Sequence, residues 1–266
     1  MEVNQHAPGS FCWAEIGTTN TATAKRFYTE LFNWQAQDVP AGEAGTYTLM
    51  QLNGRDVCGL YELNADQRNQ GIPPHWLSYV SVDSADAASQ KAQNLGAAVM
   101  MGPMDVMDIG RMSVMQDPTG APFAIWQSKQ HKGFGVTRQP GTPCWFELAT
   151  KNTSQGGEFY SSLFGWKPKI ENMGPPDKPM PYTMMMQGEN PAAGMMKMDE
   201  AWGDIPPHWM VYVEVEDCDA VAKRAESLGG RVQVPPTDAP SVGRFSVISD
   251  PTGATFSVIQ LNNPSR

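Results

Sequence analysis

The 266-residue sequence has few cysteines, no long hydrophobic run and no excess of basic residues. Its four cysteines (Cys12, Cys58, Cys144 and Cys218) stand singly, without the CxxC spacing of zinc sites or a disulfide framework. We therefore expect reduced, mostly buried thiols and a cytoplasmic protein. No apolar stretch reaches the length of a membrane span, and the first ten residues lack the regions of a secretion signal.

The balance of charge is negative. Lysine and arginine number 19 and aspartate and glutamate 28, which gives a formal net charge of -9. This negative charge disfavours binding to nucleic acid and to anionic membrane surfaces, and no local cluster of basic residues offsets it. Neither is an expected partner. The chain is long enough for two domains with a core each, so folding requires neither disulfide nor metal.

An internal duplication organises what the sequence does contain. Three segments recur in the same order at a spacing of about 133 residues. The pairs begin at Gly9 and Gly141, at Ile72 and Ile205, and at Gly110 and Gly243. The repeat predicts two similar domains over residues 1–128 and 141–262, joined by a linker over 129–140. A proline-rich loop before Tyr182 is the main difference between the halves.

Each half follows one pattern of secondary structure. Residues 11–17 alternate as a strand does, with Trp13 and Glu15 on one face. Asn20 precedes apolar residues at helical spacing, which predicts a capped helix. Short strands and turns follow, and the pattern then restarts within the half. The DPTG turn from Asp117 predicts the final hairpin, so each half comprises two βαβββ modules.

Paired βαβββ modules, a first helix ending in FYTELFNW or FYSSLFGW, and a hairpin built on DPTG resemble the vicinal-oxygen-chelate superfamily. The superfamily includes glyoxalases, bleomycin resistance proteins and dioxygenases. The resemblance implies an α+β fold with two tandem glyoxalase-like domains, each a curved mixed sheet with helices outside. It also implies a concave cavity for a small molecule. Because two domains already form a pseudo-dimer, a monomer and a homodimer are both compatible with it.

In metal-dependent members of that superfamily the cavity holds a divalent ion. Its ligands are usually His, Gln or Glu on the first strand, on the strand that opens the second module and on the last strand. In this chain those positions fall on Trp13, Leu77 and Ala124, and on Trp145, Met210 and Ser257. None is a good donor, so the usual metal site is expected to be absent and no cofactor is assigned.

Four other polar residues are candidate catalytic groups, namely Glu15, His75, Glu147 and His208. Each half places one carboxylate and one histidine two residues from a family ligand position. They suggest acid–base work on a carbonyl or enol substrate, or a displaced divalent metal site, although two donors are fewer than a catalytic metal normally has. The simpler alternative is that each histidine, placed directly after Pro-Pro, bonds to a neighbouring loop.

The carboxylates also have a structural interpretation. An unpaired carboxylate is costly to bury, so Glu15 is expected to find either an arginine partner or solvent in a cleft. Internal ion pairs of Glu15 with Arg111, and of Glu147 with Arg244, are therefore the alternative to a functional role.

The remaining candidates would line the concave cavities and contact a ligand. They are Trp13, Tyr79, Arg111 and Trp126 in the first half and Trp145, Tyr212 and Arg244 in the second. Two methionine clusters, at residues 100–107 and 184–186, are interpreted mainly as core, with an adaptable ligand wall as the alternative.

Three functions fit these observations. The preferred one is binding of a small organic molecule in aromatic- and Met-lined cavities without the metal triad. The alternative is a metal-dependent glyoxalase-type lyase or isomerase, or a dioxygenase or hydroxylase, using Glu and His donors. A plain interaction module is the third. Fold alone cannot choose between them, so whether the protein is an enzyme stays open.

Overall fold

The computed structural model describes residues 2–42, 45–173 and 180–263. Within these ranges the chain forms two eight-stranded mixed sheets, one from each half of the sequence. Most of the proline-rich loop before Tyr182 lies outside the described residues. No helix in the described part of the chain is long and apolar enough to cross a bilayer.

Domain 1 contains eight strands and three helices. In chain order they are β1 Phe11–Thr18, α1 Thr21–Phe32, β2 Gln35–Pro40, β3 Thr46–Leu52, β4 Arg55–Glu62, α2 Ala65–Asn69, β5 His75–Ser81, α3 Ala85–Asn94, β6 Ala98–Val106, β7 Gly110–Gln116 and β8 Pro122–Ser128.

Domain 2 repeats this order, with a short 3-10 helix at Glu200–Trp202 in place of α2. Its elements are β9 Pro143–Thr150, α4 Thr153–Phe164, β10 Lys167–Asn172, β11 Pro181–Gln187, β12 Asn190–Lys197, β13 His208–Glu214, α5 Cys218–Ser227, β14 Arg231–Ala239, β15 Gly243–Ser249 and β16 Thr255–Leu261.

The two modules of each domain join at the middle of its sheet. The strand order is β2-β3-β4-β1-β5-β8-β7-β6, and β10-β11-β12-β9-β13-β16-β15-β14 repeats it. The central pairs, β1 with β5 and β9 with β13, are antiparallel. The modules therefore pair within a domain and are not exchanged between domains, which the repeat pattern alone left open.

Local sequence signals explain where the helices begin. The side chain of Asn20 accepts a hydrogen bond from the Thr23 amide at 2.9 Å, and Ser84 caps α3 in the same way. Helix α1 buries a stripe that includes Phe27 and Tyr28 against one face of the sheet. This face is called the helix face, and the opposite one the concave face. The predicted strand, helix and cap at the start of domain 1 are confirmed.

The domains meet through their helix faces and share one hydrophobic core. Phe11 and Phe146 stack with 4.0 Å between ring centroids. The Tyr28 hydroxyl donates to Asp250 at 3.0 Å. The repeat-related Tyr160 donates to Asp117 at 2.8 Å. In both DPTG turns, one carboxylate oxygen of the aspartate accepts hydrogen bonds from its own turn, and the other accepts one from a tyrosine of the opposite domain.

The segment between the domains packs closely on domain 1. The Phe134 amide donates to Cys12 O, and the Gly135 amide donates to Asp56 O, both at 2.8 Å. Phe134 and Val136 are nearly fully buried. The path of this segment places the rings of His131 and Phe134 near the start of β1. All four cysteines are free thiols, and three of them are buried as expected.

Candidate functional site

A hydrogen-bonded chain of four side chains crosses the concave face of domain 1. Glu15 Oε1 accepts a bond from the Tyr47 hydroxyl at 2.7 Å, and Oε2 accepts one from Tyr79 at 2.6 Å. Trp13 Nε1 donates to the Tyr47 hydroxyl at 2.9 Å. Strands β1, β3 and β5 bring these groups together, and both carboxyl oxygens of Glu15 have a hydroxyl partner.

Domain 2 repeats the arrangement. Glu147 accepts bonds from the Tyr182 hydroxyl at 2.6 Å and from the Tyr212 hydroxyl at 2.9 Å. Trp145 Nε1 donates to the Tyr182 hydroxyl at 3.0 Å. Each domain therefore has the same Trp–Tyr–Glu–Tyr arrangement, here called the carboxyl network. Trp13, Tyr79, Trp145 and Tyr212 were predicted lining residues, and the structure brings them to the two candidate carboxylates.

One tyrosine of each network was missed by the sequence analysis. A Cβ atom at Gly59 would overlap the Tyr47 hydroxyl, and one at Gly194 would overlap the Tyr182 hydroxyl. Glycine in a strand interior marks a close approach of another group. Gly59 and Gly194 occupy the same position in the repeat, in VCGLY and AAGMM. This repeated strand glycine was the sequence signal that a bulky side chain lies close by.

Burial controls the electrostatics of the networks. Desolvation raises the pKa of both Glu15 and Glu147, while the tyrosine hydrogen bonds oppose that rise only in part. Burial also raises the pKa of all four tyrosine hydroxyls, helped by the neighbouring carboxylate. The tyrosines therefore stay protonated at neutral pH and act as neutral hydrogen-bond donors.

The predicted ion pairs between the carboxylates and arginine are wrong. Arg111 binds Asp86 of α3 with two nitrogens at 2.8 Å, and Arg244 binds Asp219 of α5 in the same manner. The next residues in the two strands, Met112 and Phe245, lie on the concave face. Because side chains alternate along a strand, both arginines lie on the helix face. They therefore do not lie on the concave faces, and tyrosine hydroxyls bind the carboxylates in place of the arginines.

The candidate histidines bond to the preceding loop, as the simpler interpretation predicted. Nδ1 of His75 lies 2.8 Å from Pro73 O, and Nδ1 of His208 lies 2.9 Å from Pro206 O. Nε2 of His75 lies 3.4 Å from the Tyr61 hydroxyl. Burial lowers the pKa of both histidines. Within the described residues no hydrogen bond joins either histidine to a carboxyl network.

The residues at the family metal positions do not fit a divalent ion. The register places Leu77 opposite Glu15 on the concave face, and Ala124 beside Tyr79. In domain 1 an indole and two aliphatic side chains occupy these positions, and in domain 2 an indole, the Met210 thioether and the Ser257 hydroxyl do, none of them a usual ligand of a hard divalent ion. Tyrosine hydroxyls bind both oxygens of each carboxylate. No group of three or more His, Cys, Asp and Glu side chains in the described ranges could hold a metal ion.

The rings around the two networks differ. In domain 1, Trp13 is 3% exposed, and Trp126 donates its indole N–H to His131 O at 3.0 Å. In domain 2, a separate apolar group surrounds the network, here called the Trp145 patch. Its members are Trp145, Met210, Tyr212, Phe245, Val247, Ile259 and Leu261. Trp145 itself is only half-buried.

The methionine clusters have different surroundings. Met100, Met101, Met104 and Met107 are all exposed, by 41% to 56%. Interpreting this cluster as core was therefore wrong, because β6 is an edge strand with few neighbours. In the second cluster Met185 is buried, whereas Met184 and Met186 are half-buried. Met184 lies opposite Gly194 and so borders the domain 2 network.

Two surface depressions of about 440 and 420 Å³ lie away from the networks. One lies between α1 and α5, and the other lies beside β2 and α2. Neither is lined by a member of a carboxyl network. The concave faces therefore remain the places where polar and aromatic groups converge.

Comparison with known proteins gives consistent matches. The model of the Glyoxalase/Bleomycin resistance protein/Dioxygenase superfamily matches residues 11–125 and 130–258. The putative glyoxylase CFP32 of Mycobacterium bovis is 36% identical over 258 residues, with 97% of each chain covered. The anthracycline biosynthesis protein DnrV of Streptomyces peucetius is 35% identical over 269 residues, covering 97% of this chain and 96% of that one.

Solved structures share the fold at much lower identity. The Mn(II)-bound glyoxalase from Novosphingobium aromaticivorans matches with a TM-score of 0.65 at 15% identity, over 97% of this chain and 84% of that one. Homoprotocatechuate 2,3-dioxygenase from Brevibacterium fuscum matches with a TM-score of 0.66 at 15% identity, over 99% and 84%. At this identity the similarity concerns the fold alone.

Proposed function

This chain belongs to the glyoxalase/bleomycin resistance protein/dioxygenase superfamily, and on that basis we propose that it binds a small organic molecule on a concave face. The contacts would come from aromatic and methionine side chains and from a carboxyl network, without the metal triad of its metal-dependent relatives. The observation that carries the proposal is the repeated Trp–Tyr–Glu–Tyr arrangement, which is present in both domains.

The chemistry of the network suits ligand binding. A carboxyl group that receives two hydroxyls retains lone pairs, or a proton when neutral, for a further hydrogen bond. Half-buried aromatic and methionine side chains beside such groups are typical of small-molecule sites, because apolar walls contribute affinity while a few polar atoms fix orientation. Methionine also adapts its shape to different ligands.

The names of the two curated relatives point to different small molecules. One is a putative glyoxylase and the other an anthracycline biosynthesis protein. A flat polycyclic ligand fits the aromatic surroundings in this chain better than a small aldehyde does. Buried aromatic rings favour stacked or edge-on contact with a further ring.

A second candidate is a metal-independent enzyme. The raised pKa of Glu147 moves this carboxyl group toward the range of a general acid or base at neutral pH, and Tyr182 and Tyr212 would stabilise its charged form. Under this alternative, Glu147 would remove a proton next to a carbonyl group of the bound molecule. Exchange of that proton for deuterium, followed by NMR in D2O, distinguishes this enzyme from a binding protein.

Calorimetric titration with 2,6-dihydroxyanthraquinone tests the binding proposal. We expect saturable binding after treatment with EDTA and no gain when Mn²⁺ or Zn²⁺ is added. Glu147→Gln should weaken binding, whereas Glu189→Gln, at an exposed turn, should not. Binding that requires a metal ion would contradict the proposal, and so would failure to bind this probe.

A further inference from the structure

In domain 1 a ring of the linker occupies part of the concave face. The imidazole of His131 lies edge-on to Trp13, with 4.6 Å between ring centroids, and 5.9 Å from the ring of Trp126. Phe134 covers Trp13 from another side at 5.5 Å. Trp126 also donates its indole N–H to the main-chain oxygen of His131. A flat ring and an oxygen atom of the chain itself therefore fill this place.

Among the residues that the structure describes, no ring occupies the equivalent place in domain 2. Among the described residues, Trp145 has no ring packed against it as His131 packs against Trp13. Ile259 replaces Trp126, and Phe245 replaces Met112 in the repeat. Trp145 and Phe245 remain half-buried, whereas Trp13 is closed off from solvent. Half-buried aromatic and aliphatic side chains next to hydrogen-bonding groups are typical of a small-molecule site.

We infer that the Trp145 patch, with the network of Glu147, Tyr182 and Tyr212, is the ligand site of this chain, and that its ligand is a flat, uncharged aromatic molecule bearing hydroxyl or carbonyl oxygen. The inference rests on the proposed function and narrows it to one domain. His131 shows the chemistry that the surface accepts, since it places a flat ring against the equivalent tryptophan. The main-chain oxygen of His131 accepts a hydrogen bond from the indole N–H of Trp126.

The charges around the site argue for an uncharged ligand. Arg244 is turned away toward Asp219 and Asp238, so it cannot pair with an anion on the concave face. In its charged form the Glu147 carboxylate would repel an anion. The ring that fills the place in domain 1 is the half-buried His131, whose pKa is lowered by desolvation, so that it is neutral at neutral pH.

Matched variants at the same repeat position test the assignment. Phe245→Ala in the patch and Met112→Ala in domain 1 both shorten a half-buried side chain on the concave face. Titration with 2,6-dihydroxyanthraquinone should give one equivalent bound per wild-type chain. We expect at least tenfold weaker binding for Phe245→Ala and less than a twofold change for Met112→Ala. Circular dichroism and the unfolding midpoint establish that each variant is folded.

Removal of the linker ring provides a gain-of-binding test. His131→Gly should open the domain 1 place and raise the stoichiometry from one toward two equivalents. A stoichiometry that stays at one would contradict the role of this ring in closing domain 1.

Other outcomes separate the inference from the function on which it rests. Two equivalents on the wild type, or equal effects of Phe245→Ala and Met112→Ala, would overturn the inference while leaving small-molecule binding intact. Tighter binding of the benzyltrimethylammonium cation than of the anthraquinone would contradict the inference that the ligand is uncharged. A dimer by light scattering that Phe245→Ala converts to monomer would instead assign the patch to a second copy of the chain. No binding of the anthraquinone would overturn both proposals.

Discussion

The carboxyl networks of the two domains contain the same hydrogen-bonding groups but differ in the residues that surround them. Domain 1 places Glu15 among three hydrogen-bonding aromatic residues and closes one side of them with the linker. Domain 2 builds the same network around Glu147 and leaves its tryptophan half-buried. The comparison shows that duplication preserved the polar groups, while the packing of the linker on domain 1 made the exposure of the two tryptophans unequal.

A second difference lies at the other end of the concave face. In domain 1, Gly17 leaves room that the His75 ring and the Tyr61 hydroxyl fill. In domain 2 the repeat places Ala149 and Met196 at the positions of Gly17 and Tyr61. Domain 1 is therefore more polar at this end of the concave face than domain 2 is.

The largest expected effect concerns the covered tryptophan. Trp13→Ala removes a fully packed ring and should lower the free energy of unfolding by about 3–5 kcal/mol. Trp145→Ala should cost less than half of that, because its ring already faces solvent on one side. Urea unfolding of both variants measures the difference. Equal losses would mean that the two rings are buried alike and would contradict the difference between the domains.

The contacts between the domains should instead respond symmetrically. Tyr28→Phe removes the bond to Asp250 and leaves the Trp76 indole N–H without its acceptor. Tyr160→Phe does the same to Asp117 and Trp209. Each change should lower the free energy of unfolding by about 1–3 kcal/mol.

Thermal and urea unfolding of this second pair measure whether the symmetry holds. A loss confined to one variant would show that the two interface bonds are not equivalent. The linker would then affect the contact between the domains as well as the concave face.

The dependence of stability on pH tests whether the two carboxyl groups are equally desolvated. Their folded-state pKa lies above the ordinary value of 4.5, so the folded state binds more protons than the unfolded state in that window. Their contribution to stability is therefore fully present below pH 4.5 and is lost as pH rises through the raised pKa.

Glu147→Gln and Glu15→Gln should each remove part of the loss of stability that accompanies the rise in pH. The measurement is the difference in unfolding free energy between variant and wild type from pH 4 to pH 8, which cancels the contributions of other titrating groups. A difference that does not change with pH would mean that the substituted carboxyl group has an ordinary pKa.

The smallest effects are expected at the arginines on the helix face. Arg111→Met and Arg244→Met break exposed ion pairs with Asp86 and Asp219, and such pairs contribute little in water. Both variants should retain the wild-type affinity for 2,6-dihydroxyanthraquinone. A large loss of affinity with Arg244→Met alone would place this side chain at the domain 2 site after all.

Part of the site could be predicted from the sequence. Trp13, Glu15 and Tyr79 share the concave face because side chains alternate with a period of two, and the repeat transfers the prediction to domain 2. The same rule placed Arg111 wrongly, since an error of one residue moves a side chain to the opposite face. Tyr47 was missed because its contact with Glu15 depends on the pairing of β3 with β4 and of β4 with β1.

The duplication, the order of strands and helices, the cap of the first helix and the family resemblance could be predicted from the sequence, because they depend on local periodicity and on residues close together in the chain. The folded structure was needed to show that tyrosines rather than arginines bind the carboxylates, that Tyr28 and Tyr160 bind the opposite domain, and that His131 covers Trp13. These contacts join residues far apart in the sequence. They depend on strand register and on the path of the linker, which no local pattern encodes.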